Sequence, residues 1–154
     1  MASGAYTSGL TSAMNGTSPF LTTTHKVMLL STATPYTYNA DHDFVSAGGA
    51  NDPDDAETNV SGYTRGFGGA GRKSLASKTI TSNDTNNRVE WDAADLTWIA
   101  LATGETIEAA VVIVEITNDA ASQLVVYLDP TNVPTNGSDI TLQFASNGFL
   151  NFNV

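Results

Sequence analysis

The stretch Ile107-Glu108-Ala109-Ala110-Val111-Val112-Ile113-Val114-Glu115-Ile116 is the segment that decides the fold class of this chain. Its four consecutive β-branched residues, Val111 to Val114, would occupy both alternating faces of an extended strand. A strand with one face in water carries polar residues on that face, whereas this run is apolar on both. The segment therefore predicts a central strand that is covered on both sides.

Turn and strand signals continue downstream of this run. The turn-like residues Asn118 to Ala121 lead into the apolar segment Gln123 to Asp129, so the two segments predict an antiparallel hairpin. Apolar and polar residues then alternate from Ile140 to Phe144. The small polar residues Ser146-Asn147-Gly148 predict a last hairpin, with Phe149 to Val154 as its second strand.

Four further segments upstream have the composition of strands: His25 to Leu30, Ser77 to Thr81, Arg88 to Trp91 and Asp95 to Leu101. Asparagine-rich residues between the second and third of them predict a turn. Six to eight strands at this spacing predict an all-β fold, a single-domain antiparallel β-sandwich or jelly-roll-like domain over residues 25–154. We expect core positions for Trp91 and Trp98, with a subunit interface as the alternative.

Two segments lack strand patterns. Residues 1–24 are mostly Ser, Thr, Gly and Ala, a composition that buries little apolar surface, so we expect a flexible N-terminal arm that could order against a neighbouring subunit. Residues 41–71 are rich in Gly, Asn and Asp and predict a long glycine-rich loop. No segment shows convincing helical periodicity.

The charge of the chain limits its partners. Sixteen acidic residues against six basic ones give a net charge of -10. Binding to phosphates needs clustered Lys and Arg, and anionic lipids repel an acidic protein, so we expect neither nucleic acid nor membrane as a partner. The chain has no cysteine, no signal-peptide pattern at its start and no apolar run of membrane-spanning length. We expect a soluble protein made in a cytoplasm.

Several motifs resemble known sites without their required context. Gly66-Phe67-Gly68-Gly69-Ala70-Gly71 fits a dinucleotide-binding pattern, but neither a strand before it nor a helix after it is predicted. The acidic residues between Asp52 and Glu57 lack the spacing of a calcium loop. His25 and His42 lie in separate regions of the sequence. We therefore predict no catalytic, cofactor or metal site, and we do not expect an enzyme.

The order of several motifs over residues 25–154 resembles a family of small virion proteins of tailed bacteriophages. The segments that carry the resemblance are Lys26 to Leu30, Asp41 to Phe44, Gly62 to Arg65, Lys78 to Ile80, Trp91 to Trp98, Glu108 to Ile113, Ser122 to Asp129 and Pro134 to Phe144. The resemblance implies a structural virion protein without catalytic or ligand residues. Within that class we expect a head decoration (cement) protein on the capsid exterior.

Such a protein would be synthesised in the host cytoplasm and would then bind the major capsid protein and bridge capsomers. Self-association is also expected, with a trimer as one closed arrangement. The arm and the loop would make the contacts, through these residues: Tyr6, Leu10, Phe20, Tyr63, Arg65, Phe67, Arg72 and Lys73. The alternatives are a structural protein of the tail or of the head-tail connection, and a carbohydrate-binding module on the virion surface.

Overall fold

The computed structural model describes residues 2–49 and 51–153 of the chain. Over these residues the protein is mostly antiparallel β-sheet with two short helices, which confirms the all-β, sandwich-like fold. The elements in chain order are β1 (Ala2–Ala5), α1 (Thr7–Met14), β2 (Lys26–Ser31), α2 (Pro53–Ala56), β3 (Lys73–Ser74), β4 (Thr79–Asn83), β5 (Arg88–Asp92), β6 (Leu96–Trp98), β7 (Thr106–Val114), β8 (Gln123–Asp129), β9 (Val133–Pro134), β10 (Ile140–Leu142) and β11 (Leu150–Asn153).

The main sheet has the strand order β1-β8-β7-β2-β3, and the short β9 also pairs with β7. The antiparallel hairpin of β7 and β8 forms as predicted. Alternate residues of β7 contribute to two separate apolar clusters, because Ala110 and Val112 point to one face and Val111 and Ile113 to the other. This arrangement confirms that β7 is a central strand covered on both sides.

Two smaller sheets cover one face of the main sheet. One consists of β10 and β6, and the other has the order β11-β5-β4. Both tryptophans lie in the core between these sheets and the main sheet, as predicted. The indole Nε1 of Trp98 donates a hydrogen bond of 2.6 Å to the carbonyl of Gly71, so the glycine-rich loop is tied to this first core.

The second core lies on the opposite face of the main sheet. Loop residues and the short helix α2 cover it rather than a second sheet, and Tyr36, Val45 and Ala56 are buried there. The hydroxyl of Tyr6 donates to that of Tyr36 at 3.1 Å within this core. The segment between β2 and β3 is thus packed against the sheet over much of its length, although it contains few regular elements.

The N-terminal residues correct the prediction of a flexible arm. The strand β1 pairs with β8 along its whole length, Tyr6 is fully buried, and α1 follows directly. A side chain at Gly9 would collide with the backbone of β8 at Leu124, so this glycine allows α1 to lie against the strand. One buried aromatic residue and one close backbone approach provide the anchoring that the average composition concealed.

The C-terminal strands also differ from the prediction. The expected last hairpin does not form, because β10 pairs with β6 while β11 pairs with β5. The N–H of Phe149 donates to the carbonyl of Trp91 at 3.0 Å, and the two rings pack with their centroids 4.7 Å apart. This aromatic packing, which is distant in sequence, outweighs the local turn signal at Ser146-Asn147-Gly148.

Candidate functional site

One end of the sandwich contains a buried arginine that forms several ion pairs. The Arg72 side chain is fully buried and contacts three carboxylates. It forms a bidentate ion pair with Glu57, with hydrogen bonds of 2.9 and 2.7 Å, and a second bidentate ion pair with Asp119, with hydrogen bonds of 2.5 and 3.2 Å. Its Nη1 also donates to Glu115 at 3.2 Å, and Lys26 reaches Glu115 at 2.5 Å. We call this network of two cations and three carboxylates the Arg72 clamp.

The glycine-rich loop supplies hydrogen-bond donors to the same carboxylates. The N–H of Gly66 donates to Glu57 at 3.0 Å, and the N–H of Gly68 donates to Glu115 at 3.1 Å. Both glycines have positive φ, 85° and 71°, a conformation that other residues rarely adopt. Tyr63 adds its hydroxyl, which donates to Glu57 at 2.9 Å. The loop that fits a dinucleotide-binding pattern in sequence therefore binds two carboxylates of its own chain.

The electrostatics of the clamp follow from this geometry. Burial alone would lower the pKa of Arg72, but the hydrogen bonds and charges of Glu57 and Asp119 outweigh it and raise that pKa above the ordinary arginine value. Burial opposes ionisation of Glu115, but Lys26, a backbone N–H and Arg72 together lower its pKa. Both shifts favour the charged forms of Arg72 and Glu115. Hydrogen bonds from the loop to Glu57 and Glu115 hold it beside the ends of β2 and β7.

Three large apolar side chains are exposed in segments that neighbour the clamp. The exposed fraction is 37% for Phe44, 45% for Phe67 and 52% for Ile116. We call these three side chains, together with the loop residues next to them in the sequence, the clamp surface. Exposed aromatic and aliphatic side chains on a rigid support are typical of protein interfaces, where such side chains carry much of the binding energy.

Hydrogen bonds place the three segments that carry these side chains at the same end of the molecule. The backbone N–H that follows Phe67 donates to Glu115, the residue directly before Ile116. The Ser122 hydroxyl accepts from the N–H of Ile116 at 3.3 Å, and the Ser122 carbonyl accepts at 2.9 Å from the N–H that follows Phe44. Hydrogen bonds therefore connect the segments of the clamp surface to one another and to the clamp.

The structure separates the predicted contact residues into two groups. Arg65 and Phe67 are exposed at the clamp surface, and Lys73 is half-buried in the edge strand β3. The backbone carbonyl of Asp54 accepts a hydrogen bond from Arg65. These three remain accessible to a partner.

Of the other five predicted contact residues, three are buried and two are half-buried. Tyr6 lies in the second core, while Tyr63 and Arg72 are buried in or beside the clamp. They correct the prediction, because a side chain buried within its own fold has no surface to offer a partner. Leu10 and Phe20 are half-buried, and the Phe20 ring packs on Trp91 at 4.2 Å.

The remaining sequence motifs have structural roles in the described part of the chain. The Asp52 carboxylate accepts backbone N–H groups of Ala47 and Gly49 at 2.8 and 2.9 Å, which closes a loop. No group of three or more His, Cys, Asp or Glu side chains among the described residues could hold a metal ion. His25 packs beside Trp91 and His42 contacts the Tyr36 hydroxyl, so the two histidines border different cores.

Sequence reasoning missed the carboxylate partners of Arg72 and the exposed Phe44 and Ile116. The ion pairs join residues that are 15, 43 and 47 positions apart, and no local spacing predicts such pairs. The available signal was the basic pair Arg72-Lys73 after a glycine-rich stretch, and it does not indicate which acids pair with Arg72.

No protein-family model, curated protein or solved structure matches this chain. Among the described residues, none of the helices has the length and apolar character required to cross a membrane.

Proposed function

We propose that this chain is a structural protein of a tailed-bacteriophage virion, specifically a head decoration (cement) protein. In this role it binds the outside of the capsid and stabilises it by bridging capsomers. The observation that carries the proposal is the clamp surface, where Phe44, Phe67 and Ile116 are exposed on a scaffold fixed by buried ion pairs. The order of sequence motifs over residues 25–154 supports the same class.

The clamp surface suits a protein partner of complementary chemistry. Exposed acidic residues occur in the same part of the chain, since Asp43 is next to Phe44 in the sequence and Asp55 lies in α2. The whole chain is acidic as well, at a net charge of -10. A capsid face with an apolar depression and a basic rim would be electrostatically complementary to it. Because loops already held in place lose little conformational freedom on binding, a modest contact area can suffice.

Add-back of purified protein to particles that lack it tests the contact surface. The double variant Phe67→Ser/Ile116→Ser removes two exposed apolar side chains without entering either core, so its affinity for the particle should fall by about tenfold or more. The matched control is Ile99→Ser, since Ile99 is 71% exposed and follows β6. Equal binding by the double variant and the control would reject the clamp surface as the contact.

Gold labelling of the protein on intact particles, viewed by electron microscopy, tests the location. Uniform labelling of the head is the expected result. Labelling confined to the tail or neck would replace decoration by a role in the tail or the head-tail connection. Absence of label from every part of the particle would overturn the virion assignment.

A further inference from the structure

The strand β4 has an open edge that lacks the usual protection against pairing with another chain. It hydrogen-bonds to β5 on one side, and no strand lies along its other side within residues 2–49 and 51–153. Its sequence, Thr79-Ile80-Thr81-Ser82-Asn83, contains no proline and no charged residue, and its pairing with β5 shows no bulge. Exposed edges without these features are templates for strand addition.

The charges at the two ends of β4 select a partner and a register. Lys78 directly precedes the strand and Asp84 directly follows it. If a second copy of β4 pairs antiparallel about a two-fold axis at Thr81, residues whose numbers sum to 162 lie opposite each other. This register places Lys78 opposite Asp84 of the other copy, and the symmetry creates the same contact twice.

The apolar side chains agree with this register. Ile80 is 44% exposed. Ser82, two residues further along β4, lies on the same face of the sheet as Ile80 and aligns with Val89 of β5, which aligns with Phe152 of β11. Ile80 therefore shares this face with Val89 and Phe152. A two-fold axis perpendicular to the sheet keeps the same face up in both copies. The two Ile80 side chains then become diagonal neighbours at roughly 7 to 8 Å and shield each other from water.

We propose that β4 pairs with β4 of a second copy of this chain, which joins the two β11-β5-β4 sheets into one six-stranded sheet. This inference does not rest on the virion role. A contact of one short strand pair buries less than the about 1,000 Å² expected of a stable dimer. The association is therefore weak in dilute solution and is favoured where many copies are held close together.

Cysteine trapping tests the register directly, because the natural chain has no cysteine. In the proposed dimer, position 81 lies opposite its own copy at a Cα separation of about 5 Å, within the range for a disulfide. The matched control, Thr79→Cys, changes an exposed threonine on the same face of the same strand, but its two copies are about 14 Å apart. Thr81→Cys should form disulfide dimers at least about tenfold faster. Equal rates would overturn the proposal.

A charge exchange in the Thr81→Cys background tests the ends of the strand. Asp84→Lys places like charges together at both ends and should slow cross-linking by about tenfold, while Asp84→Lys with Lys78→Asp should restore it. Asp41→Lys is the control, since it makes the same change of charge at an exposed position away from β4. The backbone carbonyl of Thr23 accepts from Lys78, so thermal unfolding must show that the exchange variant remains folded. A folded exchange variant that cross-links as slowly as Asp84→Lys would contradict the register.

Discussion

Replacement of Arg72 by methionine should be among the most destabilising single substitutions in this protein. The side chains of Arg72 and Glu57 are both fully buried, and Arg72 supplies two of the hydrogen bonds that the Glu57 carboxylate receives. Without the guanidinium, Glu57 retains Tyr63 and one backbone N–H but no opposite charge in direct contact. Removal of one partner from a buried ion pair typically costs about 3 to 5 kcal/mol.

The carboxylates differ in how much they contribute to this loss. Glu115 keeps its contact with Lys26, and Asp119 is one-fifth exposed, so water can solvate it. Most of the cost should therefore come from Glu57. Neutralising that residue as well, in Arg72→Met/Glu57→Gln, should recover about half of the lost stability, since no uncompensated charge then remains fully buried.

Urea denaturation followed by circular dichroism measures these differences. A loss of 4 kcal/mol moves the midpoint by about 2 M urea for a typical slope of about 2 kcal/mol per M. Arg88→Met is the matched control, because Arg88 pairs with Glu90 where both side chains are partly exposed, and its loss should cost less than about 1 kcal/mol. If Arg72→Met is no more destabilising than Arg88→Met, or the double variant is no more stable than Arg72→Met, the electrostatic reasoning is wrong.

Two further substitutions test other parts of the fold. Burial, followed by the charge of Lys78, lowers the pKa of His25 to about 4. The unfolded chain therefore binds a proton at this histidine more readily than the folded protein does. The free energy of unfolding of the wild type should rise by up to about 3 kcal/mol between pH 4 and 6.5, relative to that of His25→Phe. A pH dependence identical in both proteins would refute this assignment. Gly9→Ala should destabilise the protein by about 1 to 3 kcal/mol or detach α1 from β8, as judged by hydrogen exchange of β1, with Ser8→Ala as the control. Unchanged exchange and stability would show that the contact at Gly9 is loose.

The sequence signals that succeeded are those that act over short distances. The β-branched run in β7, the turn before β8 and the hairpin between β4 and β5 were all predicted, because alternation and turn chemistry depend on neighbouring residues. The accessible positions of Arg65 and Phe67 also agree with a loop rich in glycine.

The features that sequence reasoning missed depend on pairs of residues far apart in the chain. The position of β11 depends on Trp91, which is nearly 60 residues upstream, and the clamp depends on the pairing of Arg72 with three acids from two other segments. The N-terminal residues follow the same rule, since the burial of Tyr6 requires β8 to be in place. Composition averages over a segment, whereas a single well-placed aromatic or a missing Cβ decides whether that segment docks.

The two faces of β7 have a consequence for how the main sheet is aligned. One face presents Ala110, Val112 and Val114, and the other presents Ala109, Val111 and Ile113, so each set is one alanine with two β-branched residues. A slip by one residue would exchange two nearly equivalent sets, and apolar burial alone discriminates poorly between the two alignments. The carboxylates of Glu108, in β7, and of Glu115, directly after it, have specific partners that a slipped strand would lose. Glu115 must meet Lys26 and Arg72, and Glu108 accepts from the backbone N–H of Tyr36 at 3.3 Å. The polar contacts of β7 therefore select one alignment of the strand, while its apolar residues stabilise whichever alignment is selected.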